Sequence, residues 1–262
     1  MDAVLAENGG SLMSSVSRML TATGKRLRPR LTLGVALARG GDAVRSDILD
    51  RAASVELLHC ATLIHDDLLD GAAVRRGVPT LNANEGLGCA VVGGDLLIAA
   101  ASLLAGRASQ RAGDIVARTL AYLCQGESLQ AQLQFDPAAD EATLVELISL
   151  KTGSLLQAAC ALGADAVGLG AVGQDTLSRL GMEFGIALQL IDDLIDVLSS
   201  HGVLTRALAH APRAQAALEV LAPDHPEPRP LSRWPTRYVL HELQDKVDRD
   251  NWHLISVPGV PA

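Results

Sequence analysis

Two acidic clusters share one pattern: Asp66-Asp67-Leu68-Leu69-Asp70 and Asp192-Asp193-Leu194-Ile195-Asp196, each an Asp-Asp-x-x-Asp. Each closes an apolar stretch, with Leu57, Leu58, Leu63 and Ile64 before the first and Ile186, Leu188, Leu190 and Ile191 before the second. On a helix, the first and last Asp of each copy stand four residues apart and share one face. Like charges at that spacing repel, and apolar surroundings make the arrangement worse. A strongly cationic group between the carboxylates resolves the conflict. Mg²⁺ suits the role: it is hard, takes one or two carboxylates, and completes its shell with waters and phosphate oxygens. One such motif alone is more often a solvated acidic turn. Two copies on apolar stretches are a stronger signal, and the basic residues decide between the readings.

Gly24-Lys25-Arg26-Leu27-Arg28-Pro29 places three cations at a helix start, where backbone N–H groups and the helix dipole favour an anion. Arg75-Arg76-Gly77 follows the first acidic cluster closely, and the planar fork of arginine binds two phosphate oxygens at once. Lys151-Thr152-Gly153 adds a further charge and a hydroxyl. The chain has only the lysines Lys25, Lys151 and Lys246, so two of the three fall inside these basic segments. Metal-binding carboxylates and cation clamps together fit a ligand that carries phosphate. No Ser-His-Asp or Cys-His arrangement is evident, and His65 beside Asp66 lacks the further His ligands that a metal-dependent phosphohydrolase needs.

The elements that must carry these residues read as helices. Hydrophobic residues make up 48% of the 262 positions but aromatics only 2%, a Leu/Ala/Val/Ile mixture that suits helix packing better than sheets. The pattern predicts helices over 12–23, from the first turn around Pro29 to Gly40-Gly41, 47–70, 95–104 with Asp95 as cap, 111–134, 140–163 and 174–199. A loop carries Arg75, Arg76, Gly77 and Pro79. The net charge of -8 and pI near 5.3 exclude the basic face of a nucleic-acid binder. No apolar run is expected to reach the ~20 residues of a membrane span, and residues 1–10 lack the apolar core of a secretory signal. Cys60, Cys89, Cys124 and Cys160 form no Cys-x-x-Cys pair and read as reduced, mostly buried residues of a cytoplasmic protein. Residues 1–200 are expected to form one helical domain. Residues 201–262 differ in composition, because eight of the eleven prolines lie beyond position 211.

From about Gly24 to Ser199 the motifs resemble, in order, those of the trans-isoprenyl diphosphate synthase (polyprenyl synthetase) family. They are GKRLRP, LLHCATLIHDDLLDGAAVRRG, GGD at 93–95, GESLQ at 126–130, KTGSL at 151–155 and GIALQLIDDLID at 185–196. The resemblance implies an all-α, isoprenoid-synthase-type bundle of antiparallel helices around a central cavity, here shorter than usual at both ends. It implies condensation of isopentenyl diphosphate with an allylic diphosphate by a homodimer, or by a heterodimer with a related subunit. Asp66, Asp70, Asp192 and Asp196 would be metal ligands holding three Mg²⁺ around the allylic diphosphate, with Asp67 and Asp193 supporting them. Arg75, Lys151, Thr152 and Gln189 would bind that same diphosphate. Lys25, Arg28, His59 and Arg76 would bind isopentenyl diphosphate.

Residues four and five before the first Asp line the growing tail in this family. Here they are Thr62 and Ala61, too small to stop growth early, which implies a product longer than C15. The family's Gly-Lys about ten residues past the second cluster is replaced by Ser199-Ser200-His201-Gly202-Val203-Leu204-Thr205-Arg206. An active prenyltransferase and a non-catalytic or defective synthase-like subunit therefore both remain open. A terpene cyclase is a third reading, disfavoured by the second Asp cluster and by the separate cations Lys25, Arg28 and Arg76.

Overall fold

The computed structural model describes residues 11–21, 24–42, 44–75, 77–133 and 140–196. Arg76, the segment 201–262 and the side chains at 191–196, which include Asp192, Asp193 and Asp196, lie outside the described residues. The elements are α1 (Ser11–Thr21), α2 (Leu27–Ala38), α3 (Ser46–Leu69), β1 (Val74–Arg75), β2 (Val78–Pro79), α4 (Leu81–Glu85), α5 (Leu87–Ala108), α6 (Gln110–Leu133), α7 (Glu141–Ile148), a π-helical turn (Ser149–Gly153), α8 (Ser154–Ala166) and α9 (Ala171–Asp196). The all-α expectation holds, and the only described strands form a two-residue antiparallel ladder with Arg75 opposite Val78.

Two helices differ from expectation. Asp95 does not cap a helix: α5 begins at Leu87, and Asp95 sits exposed in its middle. Gly93-Gly94 is buried inside α5, where it makes room for neighbours. A Cβ on Gly93 would stand 2.7 Å from Leu81 Cδ2, and one on Gly94 would overlap the His65 imidazole. The helix expected over 140–163 is interrupted by the π turn, in which Ser154 N–H bonds to Ser149 O. A third correction concerns apolar length. Leu87–Ala108 and Ala142–Ala166, with mean hydropathy 2.0 and 1.3, are both long and apolar enough to cross a membrane. Asp95 and Lys151 interrupt these stretches to the eye but hardly move an average over eighteen residues.

The described residues divide into two compact units, one holding those up to Leu123 with Leu162–Gly168, the other those of Cys124–Ala161 with those from Leu169 to Asp196. In the first, α3 lies along α5, with α2 packed on α3, and α1 and α4 on α5. Leu57, Leu58, Ala61, Ile64, Leu97 and Leu104 are buried there; each such Leu or Ile contributes ~1.5–3 kcal/mol. Arg51, only 3% exposed, staples the base of this unit. It donates to Asp165 Oδ2 at 2.7 Å, to Asp47 Oδ2 at 2.9 Å and to the Ala108 carbonyl. In the second unit, α9 packs against the π turn and α7. Leu156, Leu180, Phe184 and Leu190 are buried there. The seam is glycine-lined because a Cβ on Gly185 would stand 2.7 Å from Gly153 Cα.

Candidate active site

The first acidic cluster occupies the C-terminal end of α3. Asp66 is half-buried and Asp70 exposed, one turn apart, with Asp70 N–H bonded to Asp66 O at 2.8 Å. Both carboxylates stand where the helix dipole already places negative charge, so their mutual repulsion is aggravated. Asp67 differs. It is 1% exposed, and its Oδ1 accepts from Arg75 Nε at 2.5 Å. The chain reverses behind the helix to achieve this: Ala72 N–H bonds to Asp67 O, while Thr80 Oγ1 and Asn82 Nδ2 donate to Ala72 O. The short ladder then brings Arg75 back over Asp67.

The donor chemistry at Asp66 and Asp70 fits a hard divalent cation: paired carboxylates, no thiolate, and a place at the negative end of the helix dipole. Among the described residues no group of three or more His, Cys, Asp or Glu forms a metal cage by itself. Further oxygens would have to come from water and ligand, which is how Mg²⁺ binds to phosphates.

One face of α3 farther back carries Glu56, His59 and Cys60. The Gly24–Pro29 turn meets this face through Arg26, whose Nη1 donates to Glu56 Oε1 at 2.8 Å. Burial pushes the Cys60 thiol up from 9.0 to about 11; nearby Glu56 adds to the rise, while Arg26 and Arg28 oppose it. Both guanidiniums are therefore close enough to α3 to act on this thiol. His59 is half-buried, and its carbonyl accepts the Thr62 hydroxyl at 2.8 Å. Ala61, adjacent to Thr62, is completely buried. His65 seats its ring on Gly94, with Nε2 3.9 Å from Asp95 Oδ1.

In the second unit the π turn presents Lys151 and Thr152 to partners on different helices. Lys151 Nζ donates to Glu127 Oε2 at 2.5 Å and Gln130 Oε1 at 2.8 Å, both on α6. Thr152 Oγ1 donates to Gln189 Oε1 on α9 at 2.7 Å. A π turn inside a helix is rare and often marks a functional position, because its extra residue redirects the side chains. Asp192 and Asp196 lie on the last described turn of α9, C-terminal to Gln189.

Sequence reasoning assembled Lys151, Thr152 and Gln189 as one set, and the structure joins Thr152 to Gln189. It did not find Arg26–Glu56 or the carboxylate partner of Lys151. These pairs are 30 and 24 residues apart, beyond any helical periodicity, although Glu127 and Gln130 both lie in the GESLQ segment.

The family model for polyprenyl synthetase covers residues 11–210. The chain is 36% identical over 198 residues to a nonaprenyl diphosphate synthase of Mycobacterium tuberculosis, covering 75% of this chain and 58% of that relative. The chain thus spans little more than half the length of that curated relative. A decaprenyl diphosphate synthase from Rhodobacter capsulatus shares the fold with a TM-score of 0.79 at 23% identity, over 94% of this chain and 95% of that one. A Caulobacter crescentus polyprenyl synthase, solved with calcium and isoprenyl diphosphate, superposes with a TM-score of 0.70 at 26% identity, over 92% and 80%. With the family model spanning most of its length and the acidic and basic motifs in order, the chain belongs to the polyprenyl synthetase family.

Proposed function

We propose that this protein is a Mg²⁺-dependent prenyltransferase that condenses isopentenyl diphosphate with an allylic diphosphate to give a polyprenyl diphosphate longer than C15. The observation that carries the reading is Arg75, fixed by buried Asp67 beside the Asp66–Asp70 pair at the end of α3. A cation clamp and a paired carboxylate set at one helix end suit a metal-bound diphosphate. Asp66, Asp70, Asp192 and Asp196 are assigned as metal ligands, three ions in all. When bound, the Mg²⁺ ions would neutralise the departing diphosphate.

Arg75, Lys151, Thr152 and Gln189 are assigned to the allylic diphosphate, and Lys25, Arg28, His59 and Arg76 to that of isopentenyl diphosphate. In the reaction the allylic C–O bond breaks and diphosphate leaves. The isopentenyl double bond then forms the new C–C bond, and a proton is lost. The residues of this chain orient the two diphosphates, and buried Leu and Ala side chains keep water from the cationic carbon. Ala61 and Thr62 lie one to one and a half turns before Asp66, about 6–8 Å along the axis, and leave room for a tail.

A dimer, and a cytoplasmic location, complete the proposal. Leu87, Val91, Val92 and Leu103 are exposed along α5, an apolar face of the kind subunits cover. Residues 201–262 are kept as a segment apart from the domain of 1–200. Calorimetry tests the central assignment: an allylic diphosphate binds far more tightly with Mg²⁺ present than in EDTA, because metal and phosphate complete one shell. Equal affinity in both conditions overturns it.

A further inference from the structure

We infer that the Arg26–Glu56 ion pair is a positioning device for the isopentenyl diphosphate subsite, locking the Gly24–Pro29 turn onto α3 so that Lys25 and Arg28 face the surface that carries His59. The inference rests on the subsite reading proposed above.

Arg26 is the single non-glycine residue with positive φ among those described, at φ 48° and ψ 42°. An arginine has no local reason to adopt the left-handed region, so tertiary contacts must hold it there. Two side-chain contacts do so: Nη1 donates to Glu56 Oε1 at 2.8 Å and Nη2 donates to the Leu20 carbonyl, while the backbone oxygen accepts the first helical bond of α2 from Arg30 N–H at 3.1 Å. One residue therefore ties the end of α1, the middle of α3 and the start of α2.

The pair is poorly explained by stability alone. Glu56 is 7% exposed, and its Oε2 has no hydrogen-bond partner among the described residues. A buried carboxylate with one charged partner and a vacant oxygen gains less than a well-packed apolar pair of similar size. Its geometry is informative instead. Glu56 lies three residues before His59 on the same helix face, and Arg26 lies between Lys25 and Arg28 in the chain. Arg26 and Arg28 both bear on the Cys60 thiol, one turn past Glu56. Fixing Arg26 to Glu56 thus fixes the register of two assigned diphosphate ligands against a third. Arg26 and Glu56 need touch no substrate; they act through Lys25, Arg28 and His59.

Glu56→Gln keeps the shape and one acceptor but removes the charge. Arg26→Lys keeps the charge but cannot reach both Glu56 and Leu20. With the full 262-residue chain, steady-state kinetics varying each substrate in turn, and calorimetry with isopentenyl diphosphate alone, read the effect. In both variants KM and Kd for isopentenyl diphosphate rise by roughly ten- to a hundredfold, the range expected from misplaced binding groups, while KM for the allylic diphosphate is unchanged. If wild type binds and elongates but both KM values move together in the variants, or neither moves, the positioning role is wrong and the subsite reading stands. A wild-type protein that binds no isopentenyl diphosphate overturns the subsite reading, and this inference with it.

Discussion

Asp67→Asn removes the charge of the most buried carboxylate in the first acidic cluster while keeping its shape. The structure makes Asp67 a holder of Arg75 more than a ligand facing solvent, since it is 1% exposed and bonded to Nε at 2.5 Å. A hydrogen bond to a charged group contributes ~1.5–3 kcal/mol. The Arg75 side chain is 34% exposed and recovers part of its hydration when released, which favours the lower half of that range. Relief of repulsion from Asp70, three residues on, returns ~0.2–0.5 kcal/mol. The net expectation is a loss of ~1.5 kcal/mol, or a melting temperature lower by roughly 3–6 °C for a domain of this size. Asp70→Asn is the control: it removes an exposed charge from the unfavourable end of a helix and should leave melting unchanged or raised by ~1–2 °C. Thermal unfolding followed by far-UV circular dichroism in EDTA separates the two without metal or substrate. Equal drops in both variants, or no drop in Asp67→Asn, would refute the assignment of Asp67 to Arg75.

Four further outcomes follow from the structure. Ala61→Phe puts an aromatic ring on a fully buried position five residues before Asp66 and should shorten the product; an unchanged chain length by chromatography removes Ala61 from the tail path. Gly185→Ala puts a Cβ 2.7 Å from Gly153 Cα, with backbone on both sides, and should cost ~1–3 kcal/mol in urea unfolding through overpacking at the π turn. Cys124 is exposed, whereas Cys60 and Cys160 are buried with thiols pushed up by burial. An aromatic disulfide reagent at pH 8 should therefore modify Cys124 while sparing Cys60 and Cys160. The raised Cys60 thiol contributes stability that is complete below pH 9.0 and is lost as pH rises towards about 11, because the unfolded thiol ionises first. Urea midpoints across that window should fall more steeply in wild type than in Cys60→Ser.

Much of the frame was legible in the chain. The helix under the first acidic cluster was expected over 47–70 and is observed at Ser46–Leu69, because its apolar stripe and the closing Gly71 are local signals. What escaped notice was non-local. Asp95 reads as a helix cap in one dimension, but in three it lies inside α5, where Gly94 seats His65 and Gly93 seats Leu81. The π turn at Ser149–Gly153 has no compositional signature, since it depends on how Lys151 and Thr152 find partners on α6 and α9. The left-handed Arg26 is held by Glu56 thirty residues away, and nothing in Gly24–Pro29 alone announces it. The resemblance in motifs groups Thr152 with Gln189, a pair the structure joins, whereas tertiary contacts determine how Asp67, Glu56 and Glu127 hold Arg75, Arg26 and Lys151.

The most direct test of the proposed activity is product analysis. The full chain is incubated with Mg²⁺, an allylic diphosphate and labelled isopentenyl diphosphate, and the products are separated by chain length after dephosphorylation. The account predicts label in polyprenyl products longer than C15, abolished by EDTA and reduced by several orders of magnitude in Asp66→Ala, since electrostatic stabilisation is usually the largest catalytic contribution. Label remaining wholly in isopentenyl diphosphate, with the allylic substrate intact or only hydrolysed to its alcohol, would contradict it.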